Sequence, residues 1–189
     1  MKYIVLLRGI NISGKNKISM ATLKQVLEIN NYQDVLTYLN SGNIILKTNK
    51  DKNEIIADIH KLIKENFNLE IPVYVISYEN LQDIYVNLPP FCLRNTKEFY
   101  NNIIFIIDPL KSKDVINVIG NITDDIDKIQ EYKNIIYWSY DLKKYQKSNW
   151  WKKTASIDFK DLLTIRTVNT IKNILELCNG KIKSEKNRR

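Results

Sequence analysis

Apolar and polar positions re-phase along the first 76 residues in an order that predicts strand, helix, strand, strand, helix, strand. Residues 2–7 are apolar on both faces, with Tyr3, Val5 and Leu7 set against Ile4 and Leu6. That pattern belongs to a central strand covered on both sides. Ser19 is placed to cap a helix in which Met20, Leu23, Val26 and Leu27 recur at helical spacing, with Ile18 and Leu23 as a hydrophobic staple and Asn30-Asn31 as its end. Residues 35–39 and 44–47 read as two strands joined by the tight turn Asn40-Ser41-Gly42-Asn43. Asp51 and Glu54 form a capping-box pattern ahead of the apolar stripe Ile55, Ile59, Leu62 and Ile63, and residues 71–76 return to strand.

In one sheet with right-handed crossovers, this order gives an α+β, ferredoxin-like βαββαβ sandwich. The third strand then lies antiparallel beside the first, so residues 8–17 and 40–43 meet at one edge of the sheet. A short helix over 78–85 leads to a connection at 88–100 that contains Leu88-Pro89-Pro90. The second α+β half follows over 101–180: a strand at 103–108, a helix at 112–119, a hairpin at 126–131 and 135–140, and a final helix at 169–178. Its element order suggests an imperfect duplication of the first half, without a residue-level repeat. The expected organisation is therefore 1–87, a connection at 88–100, 101–180, and a basic tail at 181–189. Residues 142–163 carry the weakest pattern.

Composition narrows the function classes. The chain has 189 residues, 44% of them apolar, enough to bury a core. No apolar run reaches the roughly 18 residues of a membrane helix, and the N-terminal run ends at Arg8, so a cytoplasmic protein is expected. Cys92 and Cys178 fit neither a zinc nor a redox spacing and read as reduced thiols. The net charge of +8 invites a nucleic-acid reading, yet residues 181–189 hold five cations and one Glu, so half of the excess belongs to the tail. Arginine is scarce: Arg8, Arg94 and Arg166 are the only ones before the tail. Each offers a rigid fork for phosphate or carboxylate that lysine lacks.

The densest candidate chemistry is Arg8-Gly9-Ile10-Asn11-Ile12-Ser13-Gly14-Lys15-Asn16-Lys17, which places two of five glycines and three cations at a strand-to-helix junction. Such a loop can present backbone N–H groups to an anion. Gly9-x-x-x-x-Gly14-Lys15 matches most of a phosphate-binding loop, but Asn16 stands where Mg²⁺ binding needs Ser or Thr and the helix starts later, which argues against ATP hydrolysis. The bland alternative is that both glycines close turns while Asn11 and Asn16 satisfy loop backbone. Residues 164–172 open the last helix, with Thr167 or Asn169 as caps and Arg166 beside its positive end. Tyr137, Trp138, Tyr140, Tyr145, Trp150 and Trp151 lie among five lysines, a composition that serves either single-strand binding or a core. Tyr137 and Trp138 must face opposite sides of their strand. Ile44, Ile45 and Leu46 on the third strand argue against an exposed RNA-binding sheet. His60 is the only histidine, so serine-type and zinc hydrolysis have no support, and no metal site is expected.

The strings Arg8-Gly9-Ile10-Asn11, Gly14-Lys15-Asn16-Lys17-Ile18, Tyr38-Leu39-Asn40-Ser41-Gly42-Asn43 and Arg166 with Asn169-Thr170, in this order, resemble the bacterial domain-of-unknown-function family 1697. The resemblance implies small cytoplasmic proteins of α+β, ferredoxin-like architecture, and no agreed activity. Where relatives read Arg-Asn-Trp-Asn-Thr, this chain has Arg166-Thr167-Val168-Asn169-Thr170, so only Arg166, Asn169 and Thr170 carry over.

The favoured reading is a site for a small anionic ligand, bearing phosphate or carboxylate, built by Arg8, Asn11, Gly14, Lys15, Asn40, Ser41 and Asn43 and closed by Arg166 and Asn169. No reaction, cofactor or oligomeric state is assigned. The alternatives are nucleic-acid binding through the basic, aromatic C-terminal half, and a protein-interaction module in which the loops hold the halves together.

Overall fold

A computed structural model of the chain describes residues 1–94, 97–123, 125–154, 156 and 158–181. Residues 95 and 96 of the expected connection and 182–189 of the basic tail lie outside the described residues. Two compact units emerge: Met1–Asp83 together with the stretch that begins at Lys172, and Ile84–Ile171.

The first unit runs β1 (Lys2–Leu7), α1 (Met20–Ile29), β2 (Gln33–Tyr38), β3 (Asn43–Lys47), α2 (Lys52–Phe67), β4 (Val73–Ser77) and the start of α3 (Tyr78–Val86). Its sheet order is β2-β3-β1-β4, antiparallel at every pairing, with Val5 opposite Ile44 on one side and Val75 on the other. This is the expected ferredoxin-like arrangement. Alternation along β1 sends Tyr3, Val5 and Leu7 into the core under α1 and α2, with Leu23, Leu27, Ile55 and Ile59. Ile4 and Leu6, on the other face, are also fully buried, as a strand apolar on both sides requires. Ser19 Oγ accepts from Thr22 N, and Asp51 and Glu54 form the reciprocal capping box.

Lys50 Nζ pairs closely with Asp58 Oδ2, which also accepts from the Tyr32 hydroxyl at 2.8 Å. The Lys50 hydrogen bond holds the Asp58 carboxyl below its ordinary value of 3.8. Folding therefore lowers proton binding at Asp58, so its contribution is complete above that value and fades as pH falls through the folded-state pKa. Asp58→Asn is expected to lower stability at neutral pH, where the carboxylate's contribution is complete, and to converge on the parent as pH falls below about 4. Urea midpoints measured across that range check this.

The second unit repeats the plan. β5 (Phe99–Ile106), α4 (Ser112–Ile119), β6 (Asp127–Tyr132), β7 (Ile135–Asp141), α5 (Asn149–Thr154) and β8 (Leu163–Thr167) build a sheet of order β6-β7-β5-β8, again antiparallel throughout. The duplication expected from element order is thus present in the strand order as well. One expectation changes: residues 164–167, read as the opening of a helix, form strand β8 beside β5, with Arg166 opposite Ile103. Helix α6 (Val168–Cys178) starts only after them, and of its two candidate caps Thr167 serves, its Oγ1 accepting from Thr170 N at 3.0 Å.

The weakly patterned stretch after β7 contains α5, which is fixed by what it does for α4. The Ile119 carbonyl accepts from Asn149 Nδ2 at 3.1 Å and from Lys153 Nζ at 2.7 Å, and that of Gly120 from Trp150 Nε1 at 3.1 Å. Carbonyls left open at a helix end are thereby satisfied by the neighbouring helix. Trp138 and Trp150 are buried in the core that also holds Ile104, Val115 and Ile136, whereas Tyr137 points to the other face and donates to Ile84 O at 2.6 Å. Of the two readings of the aromatic run, a stacking surface or a core, Tyr137, Trp138, Tyr140 and Trp150 follow the second.

Candidate functional site

Residues 8–17 leave β1 and cross the sheet edge as a tightly folded loop. The β1–β4 ladder extends one step further through Arg8 N–H to the Pro72 carbonyl at 3.0 Å. Gly9, Asn11, Ser13, Gly14 and Asn16 all have positive φ, between 47° and 79°. Glycine enters that region freely and asparagine more readily than most residues, which accounts for the local composition. Lys15 N–H bonds the Ile12 carbonyl at 2.9 Å, and Asn16 Nδ2 bonds the Gly9 carbonyl at 3.0 Å.

The two glycine turns meet. Asn11 Nδ2 donates to the Asn40 carbonyl at 2.9 Å and to the Ile18 carbonyl at 3.0 Å, while its Oδ1 accepts from Ile18 N–H at 2.9 Å. Leu7 N–H bonds the Gly42 carbonyl at 2.8 Å. The second unit makes an equivalent connection from the opposite partner: Asn134, in its β6–β7 hairpin, accepts from Ser112 N–H at 2.9 Å and donates to the Leu110 carbonyl at 3.3 Å.

This geometry separates positioning groups from groups that face outward. The Asn11 carboxamide is committed to backbone at both ends. Asn43 is buried and donates to the Tyr38 carbonyl at 2.8 Å and to Ser41 Oγ at 3.1 Å. Gly14, Lys15, Asn40 and Ser41 are exposed. Arg8 is half-buried, and its Nε is buried with no hydrogen-bond partner. A buried donor left unmade costs free energy, so such a group is a feature to explain.

Arg166 and Asn169 belong to the second unit. Arg166 is buried, and its Nη1 donates to Thr164 Oγ1 at 3.0 Å and to the Ile165 carbonyl at 2.9 Å; Asn169 is exposed. Two residues outside the expected ligand contacts join the picture: Tyr38, which opens one of the family-like strings and whose hydroxyl accepts from Asn173 Nδ2 at 2.7 Å, and Tyr100, which lies opposite Tyr140 in the β5–β7 register. Each carries a recognisable signal, an aromatic ring on a strand next to a polar turn.

The other reactive side chains are quiet. Burial pushes the Cys92 thiol up to about 12 and the Cys178 thiol up to about 11, so both are protonated at neutral pH. His60 is exposed on α2. Among the described residues no three His, Cys, Asp or Glu side chains are grouped to hold a metal ion, and no helix is long and apolar enough to cross a membrane.

Comparison with known protein families matches residues 1–137 to the family described as "Protein of unknown function (DUF1697)". Among solved structures, the chain is similar to the conserved bacterial protein SP0830 of Streptococcus pneumoniae, at 25% identity and a TM-score of 0.82, over 93% of this chain and 97% of that one. No curated protein matches it.

Proposed function

Because the chain belongs to the DUF1697 family, whose description names no activity, we propose from its own residues that the first unit binds a small anion, bearing phosphate or carboxylate, at Arg8. The observation that supports this reading is the buried, unpartnered Nε of Arg8. A guanidinium presents parallel donors that fit a phosphate or carboxylate edge, and an anion seated there supplies the missing acceptor. Of the expected ligand contacts in the converging turns, Lys15, Asn40 and Ser41 have exposed polar side chains, and Gly14 keeps the loop tip free of a side chain. Asn11 and Asn43 act by holding the turns in place. A contribution of Arg166 and Asn169 to the same ligand is a separate proposal, tested by the same assay on their alanine variants.

A thermal-shift series with orthophosphate, sugar phosphates, nucleotides and small carboxylates tests the reading. A ligand at 100 times its Kd stabilises by about 2.7 kcal/mol. Arg8→Gln is expected to abolish the shift, and Arg8→Lys, which keeps the charge but loses the fork, to weaken it. Both variants should retain the parent circular dichroism spectrum. Shifts that survive Arg8→Gln would overturn the assignment.

The exposed Ile12, at 57%, favours a second reading in which the loop tip meets another protein. Loss of a partner on Ile12→Ser with anion shifts intact separates the two.

A further inference from the structure

The second unit carries an aromatic feature that the anion reading does not use. Tyr100, Tyr140, Tyr145 and Trp151 form a continuous row, with centroids 5.5 Å apart from Tyr100 to Tyr140, 6.5 Å from Tyr140 to Tyr145 and 4.9 Å from Tyr145 to Trp151. The row begins where the core ends. Tyr140 packs on Trp138 at 4.8 Å inside the sheet–helix core, while Tyr100 and Trp151, at the two ends, are 42% and 39% exposed. Three rings of a row anchored by a buried fourth thus reach solvent, with Tyr145 half-buried between the exposed ends.

Around these rings exposed lysines outnumber the acids, Glu98 and Asp141, that flank Tyr100 and Tyr140. Lys143, Lys144, Lys147 and Lys152 are exposed, and none of their ammonium groups has an acidic partner among the described residues. The nearest acid in sequence, Asp141, accepts from the Lys143 backbone N–H at 2.7 Å. Elsewhere the chain pairs lysines readily, as in Lys24 with Glu28 and Lys64 with Glu70. Unpaired cations beside exposed, mutually supported rings are complementary to a polyanion that carries flat apolar faces.

We propose that this row is a docking surface for single-stranded nucleic acid. Bases stack on Tyr100, Tyr145 and Trp151 while the four lysines follow the phosphates. A double strand would keep its bases stacked on each other and meet only the lysines, so single strands are preferred. Stacking tolerates any base, so sequence preference is weak. An acidic peptide would satisfy the lysines but leave the rings without partners.

Fluorescence anisotropy of a labelled oligothymidylate of about 12 nucleotides, a length within known single-strand site sizes, tests the proposal on the full chain. Binding is expected at low salt, with log affinity falling against log salt at a slope of about −3 for four lysine–phosphate contacts on a single strand. Tyr100→Ala and Trp151→Ala should each weaken binding about tenfold. Lys144→Glu with Lys147→Glu should reduce the slope to about half, since two of four contacts are lost. Both ring positions are exposed, and Tyr100 tests the row independently should Trp151→Ala disturb α5. Ring variants that bind as the parent, competition by polyglutamate equal to that by unlabelled oligonucleotide, or no binding at low salt would each overturn it. Because every variant keeps residues 182–189, binding carried by the basic tail alone shows up as insensitivity to the rings.

Discussion

Gly42→Ala is expected to destabilise the first unit by about 2–5 kcal/mol, the sum of a left-handed alanine and an overpacked contact. Gly42 has φ +80°, and a Cβ at this position would lie 2.6 Å from Leu7 Cβ and 2.9 Å from Ile10 Cδ1. The Leu7 atom belongs to a fully buried side chain close to its own backbone, and that backbone is tied to Gly42 by the Leu7 N–H bond. Neither side can yield without moving β1 against β3. Gly14 is the internal control. It has nearly the same φ, +79°, but open space where a Cβ would go, so Gly14→Ala should cost only the conformational term, about 1–2 kcal/mol. Chemical denaturation of both variants decides the matter: equal losses would show that the close approach at Gly42 contributes nothing.

A comparable loss, about 3–5 kcal/mol, is expected for Asp127→Ala in the second unit. Asp127 is 1% exposed at the start of β6. Its Oδ1 accepts from Trp138 Nε1 at 3.1 Å and from Ser148 Oγ at 2.7 Å, and its Oδ2 from Thr123 N–H at 3.3 Å. Ser148 is fully buried and in turn accepts from Trp151 N–H at 2.8 Å, capping α5. Removing the carboxylate leaves an indole N–H, a hydroxyl and a backbone N–H without their acceptor in a site closed to water. Asp127→Asn keeps one acceptor oxygen while turning an amide toward donors, so it should fall between alanine and the parent. Tryptophan emission, dominated by the buried Trp138 and Trp150, follows the transition. A wild-type midpoint for Asp127→Ala would remove this carboxylate from the account of stability.

The first unit was legible because its signals are local and agree with one another. The Ser19 and Asp51 caps, the stripe through Ile55 and Ile59, and the turn around Gly42 each specify an element, and their order leaves one economical sheet. Residues 142–163 were opaque for a physical reason. Helix α5 is only six residues long, and its place is set by side chains reaching the carbonyls of α4, a tertiary effect with no sequence period. Strand β8 is five residues long with burial that does not alternate, so it blends into the helix that follows. At the candidate site, topology foretold that the two turns meet. It could not tell which amides would be spent: Asn11 serves as clamp because its carboxamide finds three backbone partners. The bare Nε of Arg8 and the pairing of Tyr100 with Tyr140 are likewise three-dimensional facts.

The Asn11 clamp has an evolutionary side. By gripping Ile18 through both its N–H and its carbonyl, it ties residues 12–17 off as a lariat whose knot lies outside the lariat itself. All six positions are exposed and none of their side chains forms the knot, although Gly14 and Asn16 hold left-handed turns of the loop. Selection can therefore vary the tip at Ile12 and Ser13, the two positions between the family-like strings, so divergence among relatives should concentrate there and stop at Gly14 on one side and at the knot on the other.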